Sequence, residues 1–236
     1  MIWLLHGNLG SVADWEKVKK ELETAGYTTR TLNLWKYLEC CPKSLTEMGH
    51  ILCSEIAAQD KHPHICGYSL GGRLAMHAVL AVPHIWESAI FISAHPGLKD
   101  KESRKSRLST DTEWAVKCLN LPWREFLEKW DAQPVFSGIS TDDRSDIKKW
   151  KKSIARAFID WSLGQQADLS TPLQSCKVPQ LWVSGEWDKK FTAIMQTSMG
   201  EKAIILPKVG HRIPREAPIP LSKLLIHWLE SKQHGN

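Results

Sequence analysis

Gly67-Tyr68-Ser69-Leu70-Gly71-Gly72 is the stretch whose reading decides the fold. Ahead of it, His64-Ile65-Cys66-Gly67-Tyr68 has the look of a short buried strand. Behind it, residues 71–82 carry a helical pattern that Pro83 stops. Gly67-x-Ser69-x-Gly71 between a strand and a helix predicts a turn so tight that side chains at 67 and 71 would strike backbone, which is why glycine stands at both. Such a turn lifts the Ser69 hydroxyl above the sheet. It also points the N-terminus of the next helix, with its free N–H groups, at any anion formed beside that hydroxyl.

Working outward, apolar or alternating runs predict further strands at 2–5, 29–35, 88–93, 179–185 and 203–206. Helical periodicity is read at 13–25, closed by Gly26, and at 45–59, with Ser44 as N-cap. More helices are read near 191–199 and at 221–230. Strands alternating with helices predict an α/β protein with a mostly parallel sheet covered on both faces. Residues 95–176 break that rhythm. They are polar, rich in Trp and Lys, and helical in period. They read as an inserted helical cap over the carboxyl ends of the strands, leaving 1–94 and 177–236 as the body.

Three loops after predicted strands carry candidate chemistry. His6-Gly7-Asn8-Leu9-Gly10 follows the first strand and can offer the Leu9 N–H to a developing oxyanion, opposite the Leu70 N–H. Asp188, in Ser184-Gly185-Glu186-Trp187-Asp188, and His211, in Val209-Gly210-His211, follow later strands. The chain order Ser, Asp, His resembles that of α/β hydrolases. In that scheme His211 accepts the Ser69 proton, and Asp188 fixes the imidazole tautomer and stabilises the imidazolium. Glu186 is the rival carboxylate on the same loop, ranked second because it sits closer to the strand.

Bulk properties narrow the partners. With 236 residues, 42% hydrophobic and 24% charged, the chain can bury a sizeable core. The 31 basic and 26 acidic residues leave a formal charge of +5, with no long Lys or Arg block, so nucleic acid is not expected and a small anionic substrate is. No run approaches the length of a membrane span and no signal sequence is read, so a cytoplasmic protein without membrane contact is expected. The six cysteines include the adjacent pair Cys40-Cys41 and no C-x-x-C, which favours reduced thiols over a zinc site or disulfide framework. No feature selects between monomer and homo-oligomer.

Several blocks together resemble one family. They are His6-Gly7-x-Leu9-Gly10-Ser11, Gly67 to Ala75, His95-Pro96-Gly97-Leu98, Gln133-Pro134-Val135-Phe136, Gly185-Glu186-x-Asp188-x-Lys190-Phe191, and Gly210-His211 followed by Arg215-Glu216. Nearly the whole chain is similar to the 2-succinyl-6-hydroxy-2,4-cyclohexadiene-1-carboxylate synthases of the menaquinone pathway. Arg73 and the Gln133-Pro134-Val135-Phe136 block are the most specific signs. The resemblance implies an α/β-hydrolase fold and an elimination, with Ser69 as the base that starts expulsion of pyruvate from a cyclohexene bearing a succinyl group and an enolpyruvyl ether. It implies no metal or organic cofactor.

The carboxylates of such a substrate need cations beside an apolar pocket. Arg73, one helical turn beyond Ser69, is placed to point there. Arg107 aligns with a cap arginine of the family, with Arg104 close enough to confuse the register. Trp130 is expected to wall the ring, and Tyr68 flanks the serine. Where the family has a second cap arginine, this chain offers Lys151, which keeps the charge without the bidentate fork. Arg212-Ile213-Pro214 also departs from the family's run after the histidine, and the chain opens at the oxyanion strand, so the usual leading strands are expected to be missing. The alternative reading is a serine carboxylesterase or acyl-thioesterase with the same triad, in which Ser69 is a true nucleophile.

Overall fold

Each expected strand forms, and all six lie parallel in one sheet: β1 (Ile2–Leu5), β2 (Thr29–Leu32), β3 (His64–Tyr68), β4 (Ser88–Ile92), β5 (Gln180–Gly185) and β6 (Ala203–Leu206), in the order β2-β1-β3-β4-β5-β6. The computed structural model describes residues 1–136, 144–200 and 203–233. The part of the expected cap at 137–143 lies outside them. A parallel strand needs cover on both faces, and the two-residue alternation supplies it. Trp3 and Leu5 face one core, with Phe91 and Trp182, while Ile2 and Leu4 face the other, with Ile90 and Val183. The first core is covered by α2 (Leu45–Ala57) and α3 (Leu70–Ala81), the second by α1 (Glu16–Thr24), the single turn α9 (Ile213–Glu216) and α10 (Pro218–Gln233). Phe91 and Trp182 lie 4.6 Å apart, both fully buried. Burying a ring of that size contributes roughly 2–3 kcal/mol.

Local side chains explain where elements differ from expectation. The helix foreseen over 13–25 is split. Ser11 and Asp14 form a capping box on a 3-10 turn at Val12–Trp15, and α1 follows it. The second strand stops at Leu32 and does not reach Trp35, because the Asn33 side chain accepts the Trp35 N–H and opens a 3-10 turn at Leu34–Leu38. Ser44 caps α2 as expected, in a capping box with Glu47.

The segment between β4 and β5 holds α4 (Lys101–Asn120), α5 (Trp123–Asp131), α6 (Lys151–Asp160) and α7 (Ser170–Ser175). Phe126, Trp130 and Phe158 from α5 and α6 join the same apolar cluster as Trp3 and Phe91, so insertion and body share one core. α7 packs on α3 and on α8 (Lys189–Met199). Among the described residues no helix is long and apolar enough to cross a membrane.

Candidate active site

The sheet order reverses between β1 and β3, and ligands of open α/β sheets bind at the carboxyl ends of strands beside such a point. Here β1 delivers the His6–Leu9 loop and β3 delivers Ser69. Ser69 has φ 52° and ψ −112°, a conformation that costs a non-glycine residue about 1–3 kcal/mol. It is held there by its N–H to the Ile92 carbonyl at 2.8 Å and by its own carbonyl, which accepts from the Arg73 N–H at 3.1 Å. The turn closes only around glycine. A Cβ on Gly67 would lie 2.3 Å from the Gly71 carbonyl oxygen, and one on Gly71 would lie 2.4 Å from that of Leu5.

Ser69 Oγ donates to His211 Nε2 at 3.2 Å, and His211 Nδ1 donates to Asp188 Oδ2 at 2.6 Å. Asp188 and His211 are 4% and 3% exposed, so this polar chain runs through a nearly dry environment in which each hydrogen bond is strengthened. The second Asp188 oxygen caps α8 by accepting from the Phe191 N–H. Glu186, the rival, is exposed and accepts from the Lys208 N–H at 2.8 Å on the far side of its loop.

The oxyanion loop is anchored by a histidine. His6 is fully buried, and burial presses its pKa down to about 4, so it is neutral. Its Nε2 accepts from the Leu34 N–H at 3.1 Å, which leaves Nδ1 to donate to the Gly7 carbonyl at 2.9 Å. A Cβ on Gly7 would touch the Tyr68 ring at 2.6 Å and stand 3.3 Å from Ser69 Cβ, which shows how closely the loop lies over the serine. The Leu70 N–H is the first amide of α3 and has no acceptor within its own helix. The Leu9 N–H donates to Asn8 Oδ1 at 3.1 Å, so an oxyanion would take that amide from the Asn8 side chain.

A cavity of about 290 Å³ opens above Ser69. Ser69, Leu70, Arg73, Arg107, Trp130 and His211 all line it. Arg104 does not line it. Arg73 is 9% exposed. Its guanidinium donates to the Trp161 carbonyl at 2.6 Å and to Gln166 Oε1 at 3.2 Å, two neutral acceptors. Burial and the nearby Arg107 lower its pKa to about 9, which leaves it charged at neutral pH. Arg107 is more committed, since its Nε donates to both oxygens of Asp111 at 2.9 Å.

Two residues expected at the substrate do not line this cavity. Lys151 is absent from the lining. Its ammonium donates to the Leu121 carbonyl at 2.9 Å, satisfying the C-terminal end of α4 as lysines near helix ends do. Tyr68 is also absent. It is buried in the α1–α10 core with its ring 5.5 Å from that of His211, and so backs the histidine without facing a ligand.

The structure adds residues the sequence reading passed over. Lys190 and Phe191 line the cavity from the first turn of α8, and they stood in plain view in the Asp188-x-Lys190-Phe191 block. His95 lines it too. Its Nδ1 accepts from the Gly97 N–H at 3.0 Å, and burial and Arg73 lower its pKa to about 4, so a neutral ring offers Nε2–H. Arg107, Thr110, Asp111 and Trp114 are spaced i, i+3, i+4 and i+7 on α4, a helical face that periodicity alone would have grouped. Finally, Asp131 at the end of α5 binds both Arg144, at 2.8 and 2.9 Å, and Arg212, the residue next to His211. Arg212 also lies 4.2 Å over the Phe136 ring.

No protein-family model matches the chain. Among curated proteins it is 33% identical over 172 residues to the 2-succinyl-6-hydroxy-2,4-cyclohexadiene-1-carboxylate synthase of Klebsiella pneumoniae (strain 342), covering 71% of this chain and 68% of that one. It is 31% identical over 194 residues to the protein of the same name from Photorhabdus laumondii, covering 79% and 69%. Over a longer span, it is 29% identical to that of Enterobacter sp. (strain 638), covering 96% and 91%. Among solved structures, MenH from S. aureus superposes with a TM-score of 0.86 at 22% identity, covering 99% of this chain and 94% of that one. A thermophilic esterase from Thermogutta terrifontis superposes at 0.72 with 16% identity, covering 98% and 89%. The fold is that of the α/β hydrolases.

Proposed function

Since the chain belongs to the family of 2-succinyl-6-hydroxy-2,4-cyclohexadiene-1-carboxylate synthases, we propose that it forms the product in that family's name by eliminating pyruvate from 2-succinyl-5-enolpyruvyl-6-hydroxy-3-cyclohexene-1-carboxylate. Ser69 is the base. His211 Nε2 takes the hydroxyl proton as Ser69 Oγ removes a proton from the substrate, and Asp188 stabilises the imidazolium that results. Electrons released at that carbon pass through the ring and break the bond to the enolpyruvyl oxygen, so pyruvate leaves. The amides of Leu70 and Leu9 meet the negative charge that builds on the succinyl carbonyl oxygen.

The observation that carries this reading is the Arg73 guanidinium. It lies buried beside Ser69, and its two acceptors are neutral, so its charge is available to a ligand. A buried cation of that kind needs an anion to offset its desolvation, and a substrate carboxylate supplies one. A neutral ester supplies none. Trp114, Trp130, Phe136 and Phe191 then form apolar walls for a six-membered ring.

The test is pyruvate release by the purified protein, followed with a coupled dehydrogenase, beside hydrolysis of a neutral aryl ester. Pyruvate release far above the spontaneous rate is expected. Arg73→Ala should cut that rate about 100-fold, in line with loss of one buried charge-assisted contact, and change ester hydrolysis little. Release at the spontaneous rate together with a burst of ester cleavage would establish an esterase instead.

A further inference from the structure

Away from the cavity, the loop between the 3-10 turn at Leu34–Leu38 and α2 carries Cys40 and Cys41, both exposed. Their Sγ atoms lie 3.2 Å apart. Lys43 Nζ donates to Cys41 Sγ at 3.1 Å and stands 3.9 Å from Cys40 Sγ, and the Tyr37 carbonyl anchors that ammonium at 2.7 Å. A second cation, Arg156 of α6, is fixed to the Leu38 carbonyl at 2.8 Å. Lys43 and the neighbouring Cys40 thiol hold Cys41 below the usual thiol range. The buried cysteines go the other way, with burial pushing Cys53 up to about 11 and Cys118 up to about 12. Thiolate character, the requirement for sulfur reactivity, is therefore favoured at Cys41 and opposed at the buried cysteines.

Two such sulfurs can bond to each other or grip a third atom. Adjacent residues have Cα atoms about 3.8 Å apart, short of the roughly 4.4 Å at which unstrained disulfides begin, so a Cys40–Cys41 disulfide would be strained and easily reduced. The open dithiol is the lasting form in a reducing medium. For a bond of about 2.3 Å from sulfur to a thiophilic centre, sulfurs 3.2 Å apart subtend roughly 90°. That angle suits a pyramidal three-coordinate centre better than a tetrahedral one. We propose that Cys40 and Cys41 form a two-sulfur chelating site for a soft, pyramidal thiophilic centre of the trivalent-arsenic kind, with Lys43 keeping Cys41 as the first sulfur to attack. With an aryl arsenoxide as probe, two As–S bonds form and the arsenic–oxygen bond breaks. The two thiol protons leave with that oxygen as water, and nothing is oxidised or reduced.

Phenylarsine oxide and intact-mass spectrometry on the native full-length protein test this. One equivalent should add to the wild type, survive a large excess of a monothiol, and be stripped by a dithiol. Cys40→Ser and Cys41→Ser, each checked for folding by circular dichroism, should lose the monothiol-resistant adduct. Lys43→Met should slow iodoacetamide modification of Cys41, mapped by peptide mass, about tenfold at pH 7. An adduct that persists in the Cys40→Ser/Cys41→Ser double variant, or no adduct on the wild type, overturns the site. An unchanged alkylation rate in Lys43→Met overturns the role of the lysine.

Discussion

The serine turn and the helical insertion face each other across one cavity, but different forces hold them. The turn is fixed by backbone against backbone: Gly67 on Gly71, Gly71 on Leu5, Ser69 on Ile92. It tolerates almost no side chain, and it stores strain at Ser69 because everything around it is rigid. The insertion is held by side chains. Arg107 pairs with Asp111, which also accepts from Ser162, and Asp131 gathers Arg144 and Arg212. On the proposed function, one region sets where the chemistry happens. The other sets which charges are free to meet a ligand, and it does so by occupying some cations and sparing others.

The largest way to break that contrast is Ser69→Ala, which should lower pyruvate release at least about 1,000-fold while leaving the melting temperature close to that of the wild type. A small loss would mean that the turn is scaffold only. Gly71→Ala should act in the opposite sense, on stability first. Its Cβ would stand 2.4 Å from the Leu5 carbonyl oxygen, and a forced overlap of that kind costs about 3 kcal/mol, read as a lower urea midpoint.

A comparable effect should come from acid. His6, ordinarily near 6.5, is held at about 4 by burial. The unfolded chain therefore binds its proton first as pH falls, so stability is complete above pH 6.5 and drains away down to about pH 4. His6 alone should remove roughly 3 kcal/mol over that window. A urea midpoint that stays flat between pH 6.5 and 4 would refute the neutral-anchor account of the oxyanion loop. The smallest effects separate two lysines. Lys190→Ala should raise KM roughly fivefold, the scale of an exposed ionic contact, whereas Lys151→Ala should leave KM within about twofold. The reverse ranking would return Lys151 to the ligand.

The same contrast explains what could be read from sequence. The turn was legible because its constraints are local: a glycine two residues on either side of the serine, a strand before it and a helix after it. Strand-end positions likewise pointed to Asp188 and His211, since each follows a β-strand by a few residues. The six strands and the capping of α2 followed from alternation and from Ser44. The insertion was less legible because its pairings are long-range. Nothing near Lys151 announces that Leu121, thirty residues earlier in the chain, will take its ammonium. Tyr68 sits next to Ser69, yet the two-residue alternation of β3 turns it into the opposite core. Lys190 stands two residues beyond Asp188 in the first turn of α8, and Trp114 lies on the face of α4 that Arg107 begins.

The bond from Arg212 to Asp131 has a consequence for modularity. The segment between β4 and β5 has its ends on neighbouring strands, which makes exchanging it for a relative's a natural experiment. Here the residue beside His211 in the body is tied to the last residue of α5 in the insertion, with Arg144 sharing the same carboxylate. A donor insertion that lacks an acid at that point would leave two buried guanidiniums facing each other without the carboxylate they share, directly beside the histidine loop. The two parts must therefore match at this contact, and a graft is expected to fold only when Asp131, Arg144 and Arg212 travel together.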